Sequence, residues 1–245
     1  DVHTRREGRI LMVPELISHE TERALCRFAG DTASRYAEVL SFTRLARRAA
    51  EQAGSSAMEC LDSGGRVVAM AAAARQLASK LKAYAAVETK PEFLTELIDA
   101  VDEFKRCCIT AQDLKAAAAQ TEGSLAQKLE ELSLLMESYD ALCSQGKRDP
   151  RDQMTWLLEQ LEESDYAQTH VFYIDGFPDY TRQHLEILEH LIQFSPSVTV
   201  SLNCDSIGSR QLAFEKAGQT ASEIYRAAQR LNIPVQVELI QGRED

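Results

Sequence analysis

The chain of 245 residues is long enough for one large domain or two modest ones, and folding should bury roughly 70 to 75% of the surface that the unfolded chain exposes. Apolar residues make up 44% and charged residues 27%, which excludes disordered, collagenous and disulfide-scaffold proteins. The net charge of −11 argues against a protein that coats nucleic acid without discrimination, and the longest apolar run, residues 67–74, is far shorter than the roughly 20 residues of a membrane span.

The first part of the chain contains two short β-like runs, at residues 9–13 and 37–42, and each is followed by a helical pattern. A strand and then a helix, repeated, is typical of the βαβ units of a parallel sheet. The six cysteines show neither a C-x-x-C pair nor zinc-like spacing with the histidines. We therefore interpret them as reduced thiols of a cytoplasmic protein.

The middle of the chain, residues 54–164, shows no strand pattern and is predicted to be helical throughout. One of its helices carries apolar residues at steps of four and three, which predicts a lengthwise seam in a helical bundle: Leu125, Leu129, Leu132, Met136, Tyr139 and Cys143. Acidic charge is concentrated here, with twelve Lys and Arg against twenty-one Asp and Glu in residues 51–165. A structureless connection of this length is implausible, so we predict a second, helical lobe.

The β/α pattern returns after residue 165, where Thr181 is a candidate helix cap. Three further strands are predicted, at residues 170–174, 198–202 and 235–240. The predicted fold class is therefore α/β, a parallel sheet with flanking helices interrupted by an all-helical insert. The corresponding domains are residues 1–53 with 165–245, and residues 54–164.

Asp175 follows a predicted buried strand directly, at the edge of a parallel sheet where ligands collect. As the Mg²⁺-holding aspartate of a nucleotide enzyme it lacks a following acid, because Gly176 is next, and the chain contains no G-x-x-x-x-G-K-[ST] loop. As part of a D-x-D-G phosphatase motif it lacks the first carboxylate, because Tyr173 stands there. A carboxylate that only caps a turn stays open as an interpretation.

Polar and basic side chains also follow the second β-like run: Ser41, Phe42, Arg44, Arg47 and Arg48. A hydroxyl, an aromatic ring and three guanidinium groups at one strand-to-helix junction can hold a phosphate and stack a base. The alternative is a solvated helix face, which composition alone favours.

Four segments, taken in order, carry a family resemblance. They read ILMVPE at residues 10–15, VLSFTRLARR at 39–48, IDGF at 174–177 and VTVSL at 198–202. Together they resemble the B subunit (AddB type) of the bacterial ATP-dependent helicase-nuclease. The resemblance covers the α/β parts, and it covers the helical insert only by position and helical character.

This resemblance implies a superfamily 1 helicase-like domain of the 1A type without its phosphate-binding loop, in which the insert is the helical 1B lobe. It implies DNA contacts at six positions: Pro14, Glu15, Ser41, Phe42, Arg44 and Arg48. Asp175 stands at the Walker B position, which binds nucleotide and Mg²⁺ only if a loop preceding the chain is present. Because the strand of that loop is missing, we expect a gap in the strand order beside the Asp175 strand or a compensating dimer.

The resemblance also sets expectations for function. For the parent protein it implies ATP and Mg²⁺ as cofactors, an iron-sulfur cluster in a C-terminal region beyond this chain, an AddA-type helicase-nuclease partner, and single-stranded or double-stranded DNA. We expect a fragment that guides single-stranded DNA in double-strand break repair and recombination, with no catalytic residue, no metal ligands and no membrane attachment of its own. The alternative is a non-catalytic interaction scaffold whose acidic helical lobe docks a partner protein.

Overall fold

The computed structural model describes residues 8–30, 32–56, 58–85, 90–209 and 211–240. The chain divides into two compact units. One, called here the α/β unit, consists of residues 1–56 and 154–245, and the other, called here the helical unit, consists of residues 57–153.

The α/β unit contains a four-stranded parallel sheet. Its strands are β1 (Gly8–Met12), β2 (Ala37–Leu40), β3 (His170–Ile174) and β4 (Val198–Val200), in the order β2-β1-β3-β4 across the sheet. The α/β fold class is thereby confirmed, and so are the first four predicted strands, although β2 and β4 each end two residues earlier than predicted. Four parallel strands require crossover connections, which the helices supply.

One prediction about the sheet is wrong, and of two expected alternatives, a gap beside β3 or a compensating dimer, the gap is absent while the dimer stays a prediction. Residues 235–240 form no strand, and their apolar members are exposed: Val235, Val237, Leu239 and Ile240. An alternating pattern becomes a strand only where a neighbouring strand accepts its hydrogen bonds, and no described strand does so here. The predicted gap beside β3 is also absent, because β1 and β3 pair directly, with Leu11 opposite Tyr173.

Ten α-helices lie in the described part of the chain. They are α1 (Ser18–Ala29), α2 (Phe42–Ala53), α3 (Ser63–Gln76), α4 (Pro91–Arg106), α5 (Ala111–Ala119), α6 (Gly123–Cys143), α7 (Gln153–Glu162), α8 (Tyr166–Thr169), α9 (Arg182–Phe194) and α10 (Glu215–Arg230). Side chains cap the first turns of two helices. Ser41 caps α2, and Thr181 caps α9, of which the Thr181 cap was predicted. No described helix is both long and apolar enough to cross a membrane.

The two faces of the sheet differ in burial. On one face the side chains of β1 and β3 are buried, among them Met12, Phe172 and Ile174. On the other face Val39 of β2 is buried, whereas Tyr173 of β3 is 41% exposed. Parallel sheets are normally covered on both faces. In this sheet the described residues leave the second face partly uncovered over β3 and β4.

The helical unit is a bundle with its own core. Residues of the predicted seam on α6 contribute to that core, and Met136, Tyr139 and Cys143 are buried there, whereas Leu125 at the start of the helix is 54% exposed. Helices α3, α4 and α5 supply the rest of the core, including Met70, Leu97, Val101 and Leu114. The seam is therefore internal, as predicted, and serves packing within the chain.

A buried ion cluster joins α3, α4, α6 and the turn at Pro150–Asp152. The fully buried Asp149 carboxylate accepts a hydrogen bond from the Tyr139 hydroxyl at 2.8 Å and lies 3.3 Å from the Arg66 guanidinium and 3.5 Å from Lys105 Nζ. Burial alone raises the pKa of Asp149, but the positive charges and hydrogen bonds outweigh it and the pKa is lowered. Asp149 is thus an ionised carboxylate inside the bundle.

A candidate nucleic-acid interface at the carboxyl edge of the sheet

The strands of the α/β unit end together at one edge of the sheet, called here the carboxyl edge. The backbone N–H of Val13 donates to the carbonyl of Leu40 at 3.0 Å, and that of Asp175 donates to the carbonyl of Met12 at 2.9 Å. Ser201 follows β4 in the same way beside the end of β3. The edge that the sequence predicted for Asp175 is therefore shared with the residues that follow β1, β2 and β4.

Ser41 and Glu15 interact at the start of α2. The Ser41 hydroxyl donates to Glu15 Oε2 and accepts a hydrogen bond from the backbone N–H of Arg44 at 3.3 Å. Ser41 is only 3% exposed, whereas Glu15 is exposed and Pro14 is half-buried. In this conformation Ser41 caps the helix, and its hydroxyl is not offered to a phosphate.

Phe42 is an anchor of α2. Its ring is 5% exposed, stacks on the His184 ring at a centroid distance of 4.3 Å and meets the Phe177 ring edge-on at 5.3 Å. His184 accepts a hydrogen bond at Nδ1 from the backbone N–H of Thr181, and burial lowers its pKa, so a neutral imidazole lies against the phenyl ring. Both partner rings belong to residues far from Phe42 in the sequence. Together they cover the Phe42 ring, so that neither of its faces is open to a nucleic-acid base.

The three arginines of α2 differ in their availability. Arg48 is held by two carboxylates, Glu38 at 3.0 Å and Glu51 at 3.1 Å. Arg44 reaches Glu22 only at 3.9 Å, and Arg47 is exposed with no ion-pair partner among the described residues. Arg44 and Arg47 are therefore held less tightly by carboxylates than Arg48, although the Arg44 side chain is 30% exposed and that of Arg48 is 47% exposed.

Asp175 is exposed at the carboxyl edge, where the Ser201 hydroxyl donates to its Oδ1. The nearby Tyr180 hydroxyl is buried without a hydrogen-bond partner in the described part of the chain, and burial together with the Asp175 charge raises its pKa. The Asp175 carboxylate is a suitable oxygen ligand for Mg²⁺, whereas the protonated Tyr180 phenol is not. Because no phosphate-binding loop occurs in residues 1–245, these groups do not by themselves form a nucleotide site.

The comparisons with known proteins agree with the resemblance seen in the sequence. A family model described as "ADDB, N-terminal" matches residues 2–245. The chain belongs to the ADDB N-terminal family. Within the described residues no three side chains of His, Cys, Asp or Glu converge as a metal site.

Three curated relatives are each named as the B subunit of an ATP-dependent helicase/deoxyribonuclease. The protein of Thermoanaerobacter sp. (strain X514) is 33% identical over 199 residues, which is 80% of this chain and 17% of the relative. The proteins of Clostridium acetobutylicum and Bacillus velezensis are each 26% identical, over 93% and 95% of this chain and 20% and 21% of their own lengths. This ADDB-family chain thus spans about a fifth of the length of these relatives.

In this ADDB-family chain, Gly176 has a backbone role that explains why no acid follows Asp175. Its φ is +76°, and a Cβ built on it would lie 3.2 Å from Ile17 Cδ1 and 3.6 Å from Pro14 Cδ. A side chain at this position would therefore be strained in its backbone and crowded by the segment that follows β1. The sequence indicated only that a glutamate was missing here.

We expect Gly176→Ala to lower the free energy of unfolding by about 2 kcal/mol, because both the positive φ and the contact with Ile17 oppose a Cβ. The matched control is Gly54→Ala. Gly54 has a φ of +72° and no atom within 4 Å of its built Cβ, so only the backbone cost of about 1 kcal/mol applies. Urea unfolding, monitored by circular dichroism, measures the free energy of unfolding of both variants. An equal loss of stability in Gly176→Ala and Gly54→Ala would contradict a packing role for Gly176.

Proposed function

We propose that this chain is part of the B subunit of an AddAB-type helicase-nuclease that acts in DNA double-strand break repair and recombination, and that its α/β unit guides single-stranded DNA. Family membership and the names of the relatives support this proposal. On this view the partner is an AddA-type subunit, the protein works in the cytoplasm, and ATP with Mg²⁺ serves the full-length protein.

The observation that carries the proposal is the position of α2. Its first turn is fixed at the carboxyl edge by the Ser41 cap and the buried Phe42, and it carries the partly exposed Arg44 and the exposed Arg47. A helix N-terminus with adjacent guanidinium groups favours the phosphates of a strand. Glu15 is the anion nearest to this helix start in the chain alone, so a phosphate would compete with it.

The residues at the edge then have separate roles. Arg44 and Arg47 contact phosphates, whereas Ser41 and Phe42 are positioning residues that hold α2. Arg48 supports α2 from its pairs with Glu38 and Glu51, and the turn at residues 14–15 shapes the entrance. Asp175 takes part in Mg²⁺ and nucleotide binding only when the full-length protein supplies a phosphate-binding loop, for which the uncovered face over β3 and β4 is a suitable place.

The experiment is a salt titration of the binding of a fluorescently labelled oligo(dT) to the 245-residue chain, read by anisotropy. We expect Arg44→Ala to weaken binding and to reduce the slope of log K against log salt by about 0.7, the value for one lost contact to a single strand. Arg226→Ala removes an exposed arginine from α10 and is the matched control, with an expected unchanged slope.

Two results would count against the proposal. An equal loss of oligo(dT) affinity in Arg44→Ala and Arg226→Ala would mean that overall charge, and not α2, sets the affinity. No binding at any salt concentration would favour the alternative function, an interaction scaffold that docks a partner protein through its acidic helical lobe.

A further inference from the structure

A groove of about 520 Å³ lies in the α/β unit between α7, α8 and α9. Helix α8 leads directly into β3, and α9 ends just before β4, so the groove lies toward the amino ends of these strands. It is therefore on the side of the sheet opposite to the carboxyl edge. A partner bound here would leave the proposed DNA-binding edge open.

The lining of the groove is acidic. Glu162, Glu186 and Glu189 contribute carboxylates, and no lysine or arginine is among the described residues that line it. The one basic ring in the lining is His190, whose pKa is lowered chiefly by burial, so it does not offset this charge at neutral pH. Glu162 makes no ion pair with a lysine or arginine of the described chain.

Two of the carboxylates are held in place from outside the groove. Arg230 Nη2 donates to both oxygens of Glu189 at 3.0 Å, and Arg182 lies 3.5 Å from Glu186. These pairs orient the carboxylates without closing the groove. Glu162 is exposed and lines the same groove from α7.

The groove also has an apolar part. Leu158, Leu161 and Ala167 line it from α7 and α8, and Phe194 at the end of α9 is 43% exposed. The Phe194 ring lies 4.6 Å from the His190 ring, measured between centroids, which fixes its direction. A large exposed aromatic beside an acidic, partly apolar groove is typical of a protein-protein contact.

We propose that this groove docks a basic amphipathic helix of a partner protein. The lysines or arginines of that helix meet Glu162 and compete with Arg182 and Arg230 for Glu186 and Glu189, and its aliphatic residues pack on Leu158 and Phe194. Charge complementarity favours this occupant, because Glu162 has no lysine or arginine partner among the described residues and Glu186 and Glu189 are shared only with exposed arginines, whereas a phosphate or an acidic peptide would add negative charge beside them. The inference rests on the geometry of the groove and does not require that the carboxyl edge binds DNA.

The test uses the 245-residue chain and three labelled peptides of about 20 residues, a length that supports helix formation. One carries lysine and leucine on opposite helical faces, the second replaces each lysine with glutamate, and the third scrambles the first so that the apolar face is lost. We expect the first peptide to bind at least tenfold more tightly than the other two in anisotropy titrations.

Variants then locate the site. Glu162→Gln and Phe194→Ala change exposed side chains. Each is expected to lower the affinity of the chain for the first peptide by about fivefold, the size of a modest interface contact. The matched control is Glu20→Gln, which removes an exposed carboxylate from α1 and is expected to leave the affinity unchanged. Oligo(dT) binding should be the same in Glu162→Gln and Phe194→Ala, so that failure here is separable from failure of the DNA proposal.

The proposal would be overturned by equal binding of the lysine peptide and its scrambled form, or by an equal loss in Glu20→Gln, since both indicate attraction to the net negative charge of the chain alone. Absence of binding by the lysine peptide would overturn it as well.

Discussion

Asp149→Asn is expected to lower the stability of the helical unit by about 2–3 kcal/mol, because Arg66 and Lys105 lose their common buried carboxylate, although Asp102 still pairs with Arg66 and Asp152 still pairs with Lys105. Lys105 is 8% exposed, and it and Arg66 both point at Asp149. Urea unfolding followed by hydrogen exchange of the amides in α3, α4 and α6 measures this loss in the helical unit itself.

The matched control for this prediction is Asp99→Asn, an exposed carboxylate on α4. It removes the same charge from the same unit and should change the free energy of unfolding by less than about 0.5 kcal/mol. If the two variants lost similar stability, the ion cluster would contribute no more than a surface carboxylate, and the account of the bundle interior would be wrong.

The same cluster makes the helical unit sensitive to acid. The pKa of Asp149 is lowered below its ordinary value of 3.8, so its contribution is complete above that value and is lost as the pH falls through the lowered pKa. The unmodified chain should therefore lose stability in strong acid more steeply than Asp149→Asn, in which this group no longer titrates.

Phe42→Ala is expected to lower the stability of the α/β unit by about 3–5 kcal/mol, the usual cost of deleting a buried phenyl ring. The ring is 5% exposed and contacts both His184 and Phe177, so its removal leaves a cavity under the first turn of α2. Unfolding can be followed by the fluorescence of Trp156, which is buried in α7 of the same unit.

Phe42→Leu separates packing from base stacking. Leucine keeps most of the apolar volume, so we expect a smaller loss of about 1–2 kcal/mol and an affinity for oligo(dT) within twofold of the unmodified chain. A folded Phe42→Leu variant that loses DNA affinity would show that the ring contacts bases directly, as the sequence pattern suggested, in a conformation that exposes it.

The elements of the sheet were predictable because their signals are local. The continuous apolar run at residues 170–174 predicts a strand covered on both faces, and it forms β3 with those bounds. The expected coverage is not complete, because Tyr173 is 41% exposed. Thr181 follows the ordinary rule for a helix cap. The prediction of a strand at residues 235–240 was wrong, because alternating apolar and polar residues indicate a preference for strand and do not indicate whether a neighbouring strand is present to pair with.

The roles of the site residues were less predictable, because distant contacts decide them. Ser41 and Phe42 belong to a basic, polar segment that suggests exposure, yet Glu15 and His184, 26 and 142 positions away, engage them. No role was assigned to His184 from the sequence alone. Its spacing from Thr181, three residues into a helix, was the signal that it completes a cap.

The most direct measurement of whether the carboxyl edge guides a single strand is amide hydrogen exchange across the whole chain with and without saturating oligo(dT). Our account predicts slower exchange at residues 13–17, 41–48 and 175–177, with no change at the end of α9 or in the helical unit. Protection confined to the helical unit or to the acidic groove, with residues 41–48 unaffected, would contradict it.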